Sequence, residues 1–225
     1  MTDKLLKKCL IISGGDFSEL PEAFIEEFGS GREYAESDPG RVKPGTLVIA
    51  CDRGYEYAER LGIKPDLIVG DFDSSPEPDT QIPIVELPTR KDDTDTMKAA
   101  RIALERGYGD LVFCCALGGR MDHAFANIQT GAFAALNGGK ARIVSADTEM
   151  LVLPPGQFVL PEKKGWSLSL FSMGDSVKGL SIEGCKYSGN GLSLGCSFPL
   201  GASNVWASSE ARISFESGIL LVIMS

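Results

Sequence analysis

The feature that most constrains this chain is a change of rhythm near residue 150. Before it, short apolar runs alternate with segments of helical period. "KCLIIS" reads as a strand and "SELPEAFIEEF" as a helix. "TLVIACD" reads as a strand, followed by "YEYAERLG", a helix closed by Gly62. "LIVGD" and "IPIVEL" read as strands, and "TDTMKAARIALERG" as a helix with Gly107 after its end. "DLVFCCAL", "MDHAFANIQTGAFAALNGG" and "ARIVSA" repeat strand, helix and strand. Such alternation predicts a mainly parallel sheet, because each parallel pair needs a crossover and the crossover helices cover the faces. After "LPPGQ" (153–157) the pattern differs. "WSLSLFSM", "VKGLSIEG", "LSLGCSF", "ARISFES" and "ILLVIM" are short strand-like runs broken by Gly, Ser, Asn and Pro. That predicts an antiparallel sheet or small sandwich. The expected class is α/β: a helix-flanked sheet over 1–150, then an antiparallel β-sandwich domain over 151–225.

Charge changes at the same place. Residues 1–150 hold 26 acidic and 17 basic side chains, the remainder five of each, and Asp175 is the only aspartate beyond 150. A net charge of −9 argues against bulk nucleic-acid binding, which wants a basic stripe. It leaves phosphates open, since a metal ion bridges two anions. No apolar run approaches the ~20 residues of a membrane span. The apolar burst near the start ends in Ser-Gly-Gly-Asp and reads as a first strand rather than a signal peptide. The six cysteines include no C-x-x-C pair, and Cys114 and Cys115 sit in an apolar run. A reducing, cytoplasmic setting fits that usage. Residues 29–45 read as a polar surface loop.

Ligands of parallel α/β sheets bind outside the carboxyl ends of the strands. Nearly every such exit here carries an aspartate. They are Asp16 in "SGGD", Asp52 in "CDRG", Asp71 and Asp73 in "LIVGDFDS", Asp92, Asp93 and Asp95 in "KDDTD", and Asp122 in "GGRMDH". One aspartate after a strand is commonly a helix cap or turn residue, and Asp93 or Thr94 suits the cap of the helix at 95–106. Several clusters on one rim would repel one another unless a cation lies among them. Carboxylates without a His/Cys constellation favour magnesium. An extended 71–73 would turn both carboxylates to one face and Phe72 into the core.

"SGG" and "LGGR" bring backbone N–H groups near an anion, although Gly-Gly is common in turns. No P-loop pattern is present. Lys91 and Arg120 suit phosphate oxygens, or else neutralise neighbouring aspartates. His123, the only histidine, reads as structural support.

At these motifs the chain resembles the thiamine pyrophosphokinase family. The blocks that carry the resemblance are "CDRG" (51–54), "PDLIVGDFDS" (65–74), "KDDTD" (91–95), "GGRMDHAFAN" (118–127), "GCKY" (184–187) and "SN" (203–204). Their order and spacing cover nearly the whole chain. The resemblance implies an ATP- and magnesium-binding catalytic domain over 1–150 and a thiamine-binding sandwich over 151–225. It also implies a homodimer with active sites formed between subunits. The implied magnesium ligands are Asp71, Asp73 and Asp95. Catalytic roles fall on the same three and on Lys91. Asp52, Arg53, Asp92, Arg120 and Asp122 would contact ATP. Tyr187, Ser203 and Asn204 would contact thiamine, with a half-buried strand aromatic the other reading of Tyr187. Arg53 departs from the family's pattern, which has glycine there. It either crowds the site or adds a phosphate contact.

The implied reaction moves the diphosphate of ATP to the hydroxyl of thiamine and releases AMP. Such a transfer needs positioning and charge neutralisation rather than a covalent nucleophile. Asp71 and Asp95 are both suited to take the hydroxyl proton. A magnesium-dependent phosphohydrolase and a non-catalytic thiamine or nucleotide binder are the alternatives. "GCKY" and "SN" argue against the first, and the intact aspartates against the second.

Overall fold

The structure, a computed structural model, describes residues 6–17, 20–28, 40, 42–72, 78–88 and 93–225. Most of the expected loop at 29–45 lies outside them. Among the described residues, six parallel strands form the N-terminal part. They are β1 (Lys7–Ile12), β2 (Leu47–Cys51), β3 (Leu67–Gly70), β4 (Ile84–Glu86), β5 (Tyr108–Cys114) and β6 (Lys140–Val144). Their spatial order is β6-β5-β1-β2-β3-β4. The helices are α1 (Glu22–Phe28), α2 (Gly54–Leu61), α3 (Asp95–Glu105) and α4 (Met121–Leu136). Alternate residues of β1 divide them into two layers. Leu10 and Ile12 pack with Phe24 and Phe28 of α1 and Ala58 of α2. Cys9 and Ile11 pack with Ala99, Ala100 and Ala103 of α3 and with Ala134 and Ala135 of α4. A strand buried on both faces must be continuously apolar, which is why "CLII" shows no alternation.

Local chemistry sets the helix ends. The Thr94 hydroxyl accepts the Met97 N–H at 3.1 Å and caps α3. Gly62 takes the left-handed conformation (φ 65°) that ends α2.

Among the described residues, the same sheet continues through antiparallel strands to ten. β7 (Glu149–Leu153) pairs with β6, followed by β14 (Leu220–Met224), β9 (Leu168–Ser172) and β12 (Gly201–Asn204). The remaining strands, β8 (Gly156–Pro161), β10 (Val177–Glu183), β11 (Gly189–Leu194) and β13 (Glu210–Phe215), form a four-stranded antiparallel sheet. It packs on β7, β9 and β14 to make the sandwich. Leu160, Val177, Leu180, Ile213 and Phe215 face Leu153, Leu168, Leu170, Leu220 and Val222. β14 serves both cores. Leu220, Val222 and Met224 point into the sandwich, and Leu221 into the core beneath α3 and α4. The sequence did not announce β7, β8 or β12. β7 straddles the change of rhythm, β8 follows two prolines, and β12 is Gly-Ala-Ser-Asn.

Charged side chains fill the seam between α1 and the sandwich. Glu27 accepts from both Lys8 and Arg142. Glu149 accepts from Lys163 at 2.5 Å, with Arg142 3.9 Å away. Burial pushes the Glu27 carboxyl up, and its bonds to Lys8 and Arg142 more than offset this, leaving it below the usual range.

Candidate functional site

β1 leads to α1 on one face of the sheet and its neighbour β5 to α4 on the other, the kind of switch point at which a parallel sheet has its crevice. Three backbone bonds stitch its floor. The Ser13 N–H donates to Cys114 (3.0 Å), Gly15 to Cys115 (2.8 Å) and Asp16 to Leu117 (3.2 Å). Gly118 and Gly119 turn there with φ of 82° and 60°. A Cβ on Gly118 would lie 2.6 Å from the Asp16 carboxylate, so the glycine turn closes on that side chain. From α4, the buried Asn127 amide donates to the Ala116 carbonyl at 2.8 Å and fixes the same loop.

The exits of β2 and β3 lie beside this crevice. The Asp52 N–H donates to the Val69 carbonyl at 2.9 Å, and a Cβ on Gly70 would stand 3.3 Å from the Asp52 Cα. The two exits are therefore pressed together. α3 is drawn to the same edge, because its Thr96 hydroxyl meets the Ser13 hydroxyl at 2.9 Å in the interior. The buried Cys51 thiol registers the convergence. Burial raises it most, and Asp95 and Asp52 raise it further. Asp52, Asp71 and Asp95 thus gather at one edge, Asp71 half-buried. Among the described residues, no three His, Cys, Asp or Glu side chains form a group that could hold a metal ion. Asp73, Lys91 and Asp92 lie outside the described residues.

The expected extended run at 71–73 is not observed. Phe72 adopts φ 52°, a left-handed turn, and is half-buried rather than core. A left-handed residue breaks the two-residue period, so the spacing of Asp71 and Asp73 does not by itself set a common face.

The cations differ in their partners. Arg120 is exposed and forks onto Asp122, at 3.2 Å and 2.5 Å. The Arg120 guanidinium holds the Asp122 carboxyl below its usual range. Arg53 sits at the N-terminal end of α2. His123 is exposed on the first turn of α4.

Tyr187, Ser203 and Asn204 come together elsewhere. Asn204 is 5% exposed, and its amide brackets Tyr187. The amide oxygen accepts the Tyr187 N–H at 3.0 Å, and its nitrogen donates to the Tyr187 carbonyl at 2.9 Å. Tyr187 is 61% exposed. Ser203 has φ 59°, and its N–H donates to the Ser169 hydroxyl at 3.0 Å. This group lies at β12, with β9, β14, β7, β6 and β5 between it and β1. Six strand steps of ~4.8 Å make a separation of roughly 29 Å along the sheet. Tyr57 and Thr96 carried no signal in the sequence, because each reads as an ordinary helix residue until the loops are seen beside it.

Two family models match the chain. "Thiamin pyrophosphokinase, catalytic domain" matches residues 42–141, and "Thiamin pyrophosphokinase, vitamin B1 binding domain" matches residues 157–220. A Bacillus subtilis protein called thiamine pyrophosphokinase is 29% identical over 194 residues, 83% of this chain and 90% of that protein. Solved structures of thiamine pyrophosphokinases are similar throughout. That from Bacillus subtilis has TM-score 0.78 at 25% identity, covering 97% of this chain and 99% of its own. That from Geobacillus thermodenitrificans has TM-score 0.75 at 25% identity, covering 97% of each chain. The yeast structure, at 15% identity and TM-score 0.69, shares the fold, covering 99% of this chain and 87% of its own.

Proposed function

The chain belongs to the thiamin pyrophosphokinase family, and from that premise we propose that it moves the diphosphate of ATP to the hydroxyl of thiamine. The products are thiamine diphosphate and AMP. The observation that carries this reading is the division of the chain into two chemically different ends. One is an acidic edge at the crevice between β1 and β5. The other is an exposed tyrosine, Tyr187, held by Asn204 beside Ser203.

Residues 1–150 act as the nucleotide half and 151–225 as the thiamine half. Asp71, Asp73 and Asp95 hold magnesium. Their hard oxygen donors suit that ion, and the nearby buried Cys51 thiol is inert because burial and the carboxylates keep it protonated. Bound magnesium supplies charge neutralisation on the phosphates. Asp52, Arg53, Asp92, Arg120 and Asp122 contact the nucleotide. Lys91 and Arg120 offset charge that develops as the diphosphate moves. The thiamine hydroxyl gives its proton to a rim carboxylate, Asp71 or Asp95. Tyr187 offers its ring face to the cationic thiazolium, a cation–π contact. Ser203 and Asn204 shape the same surface.

The two ends are roughly 29 Å apart along one sheet. A diphosphate cannot pass over that span, so the active unit is a homodimer in which one subunit's Tyr187 faces the other's aspartates. The protein works in the cytoplasm, where both substrates occur.

Incubating the protein with ATP, magnesium and thiamine, then separating products by chromatography, tests this. AMP and thiamine diphosphate should appear in equal amounts. Phosphate release that ignores thiamine would make the protein a hydrolase. Thiamine binding without turnover would make it a sensor.

A further inference from the structure

Tyr57 is a buried α2 residue beside the crevice, and none of the roles above falls on it. Its ring packs on Phe17 with centroids 5.3 Å apart, and the Arg60 guanidinium lies 3.6 Å from the Phe17 centroid. The loop after β1 is thereby fastened to α2. The Tyr57 hydroxyl donates to the Gly15 carbonyl at 2.9 Å. The Tyr57 N–H donates to the Arg53 carbonyl at 3.4 Å. Arg53 stands against the same loop, where a Cβ on Gly14 would lie 3.5 Å from the Arg53 Cβ. Gly54 makes this approach possible, since a side chain there would run into the Ile12 carbonyl. Tyr57 therefore ties together the glycine turn, Arg53 and α2.

The state of the Arg53 side chain matters. The Tyr57 hydroxyl, a neutral group, holds the Arg53 guanidinium above its ordinary range, ahead of Glu56 and Asp52 acting through space. A guanidinium that turns to a phosphate oxygen gains a charge-assisted bond. Arg120, by contrast, must leave the Asp122 carboxylate.

We infer that Tyr57 is a positioning residue for the nucleotide's phosphate chain, fixing the Gly15 backbone and aiming Arg53 across the Gly14–Gly15 turn. The inference rests on the proposed function, in which ATP lies at this edge.

Tyr57→Phe tests it, because the ring and its packing on Phe17 stay. The full-length chain is titrated with ATP plus magnesium and, separately, with inorganic tripolyphosphate, both without thiamine. Steady-state kinetics and thermal melting accompany the titrations. Tyr57→Phe should weaken ATP binding about fivefold, equivalent to ~1 kcal/mol, and raise KM for ATP by a similar factor. Tripolyphosphate should weaken in the same ratio, while kcat and KM for thiamine change by less than twofold. Arg53→Gly should weaken both ligands at least as much, and Arg53→Lys less. Adding Tyr57→Phe to Arg53→Gly should cost less than Tyr57→Phe alone. Wild-type ATP affinity in Tyr57→Phe would overturn the inference. So would equal losses for ATP and thiamine with a lowered melting point, since those mark a purely structural residue. A wild-type chain that binds no ATP would overturn the proposed function as well.

Discussion

The hydroxyls of Ser13 and Thr96 meet at 2.9 Å in the interior, joining the end of β1 to the first turn of α3. Asp95 immediately precedes Thr96, so this one bond helps set where a rim carboxylate stands. Thr96→Val keeps the shape and removes the hydroxyl, leaving Ser13 buried without that partner. The expected cost is about 1–3 kcal/mol of stability, read by denaturant unfolding. A larger fractional loss of kcat than of folded protein should accompany it, because Asp95 shifts with the helix.

If the aspartate edge holds magnesium as proposed, the bare edge carries repulsion that the cation relieves. Asp71→Asn and Asp95→Asn should each lower AMP formation by at least a hundredfold. The melting temperature in metal-free buffer should hold or rise, since like charges no longer face each other. Chromatographic assay and calorimetry check the two halves of this statement. Full activity in either variant would remove that residue from the metal set.

Asn204 binds both backbone groups of Tyr187, so it acts as a one-residue strand partner. Asn204→Ala should raise KM for thiamine several-fold more than KM for ATP, and cost about 1–3 kcal/mol through the buried groups left unpaired. Equal effects on both Michaelis constants would show that Tyr187 is not aimed at thiamine.

Glu27 predicts a pH dependence. Its folded carboxyl lies below the ordinary value of 4.5, so its contribution is complete above that value. Stability is then lost as pH falls through the lower, folded value, because protonation severs the bonds to Lys8 and Arg142. Glu27→Gln should lower stability by about 2 kcal/mol at neutral pH and flatten the acid limb of the melting curve below pH 4.5. An acid limb unchanged by this substitution would assign it to other carboxylates.

Much of this was legible before the structure. The alternating runs of the first 150 residues announce the parallel strands and their helices, because a buried strand and a covering helix have different periods. The aspartates at strand exits point to one edge for the same reason. Asn204 shows what was harder. An asparagine in "SN" says nothing about which backbone it brackets, since Tyr187 is 17 positions away. Phe72 was misread because "LIVGDFDSS" continues to look like a strand after Gly70, and only the backbone reveals the left-handed turn. The joining of β9, β12 and β14 to the N-terminal sheet was hidden as well. Alternation tells that both faces of a strand are covered, not by which half of the chain.

That last strand has a consequence for how the molecule is made. Every other described element precedes β14, yet β14 lies between β7 and β9 and has side chains in both cores. During synthesis the helical half waits with an open sheet edge at β7, and the sandwich waits with a missing slat. Neither closes until "LLVIM" has cleared the ribosome. The two halves should therefore become protease-resistant together and late, and lose that resistance together when β14 is weakened.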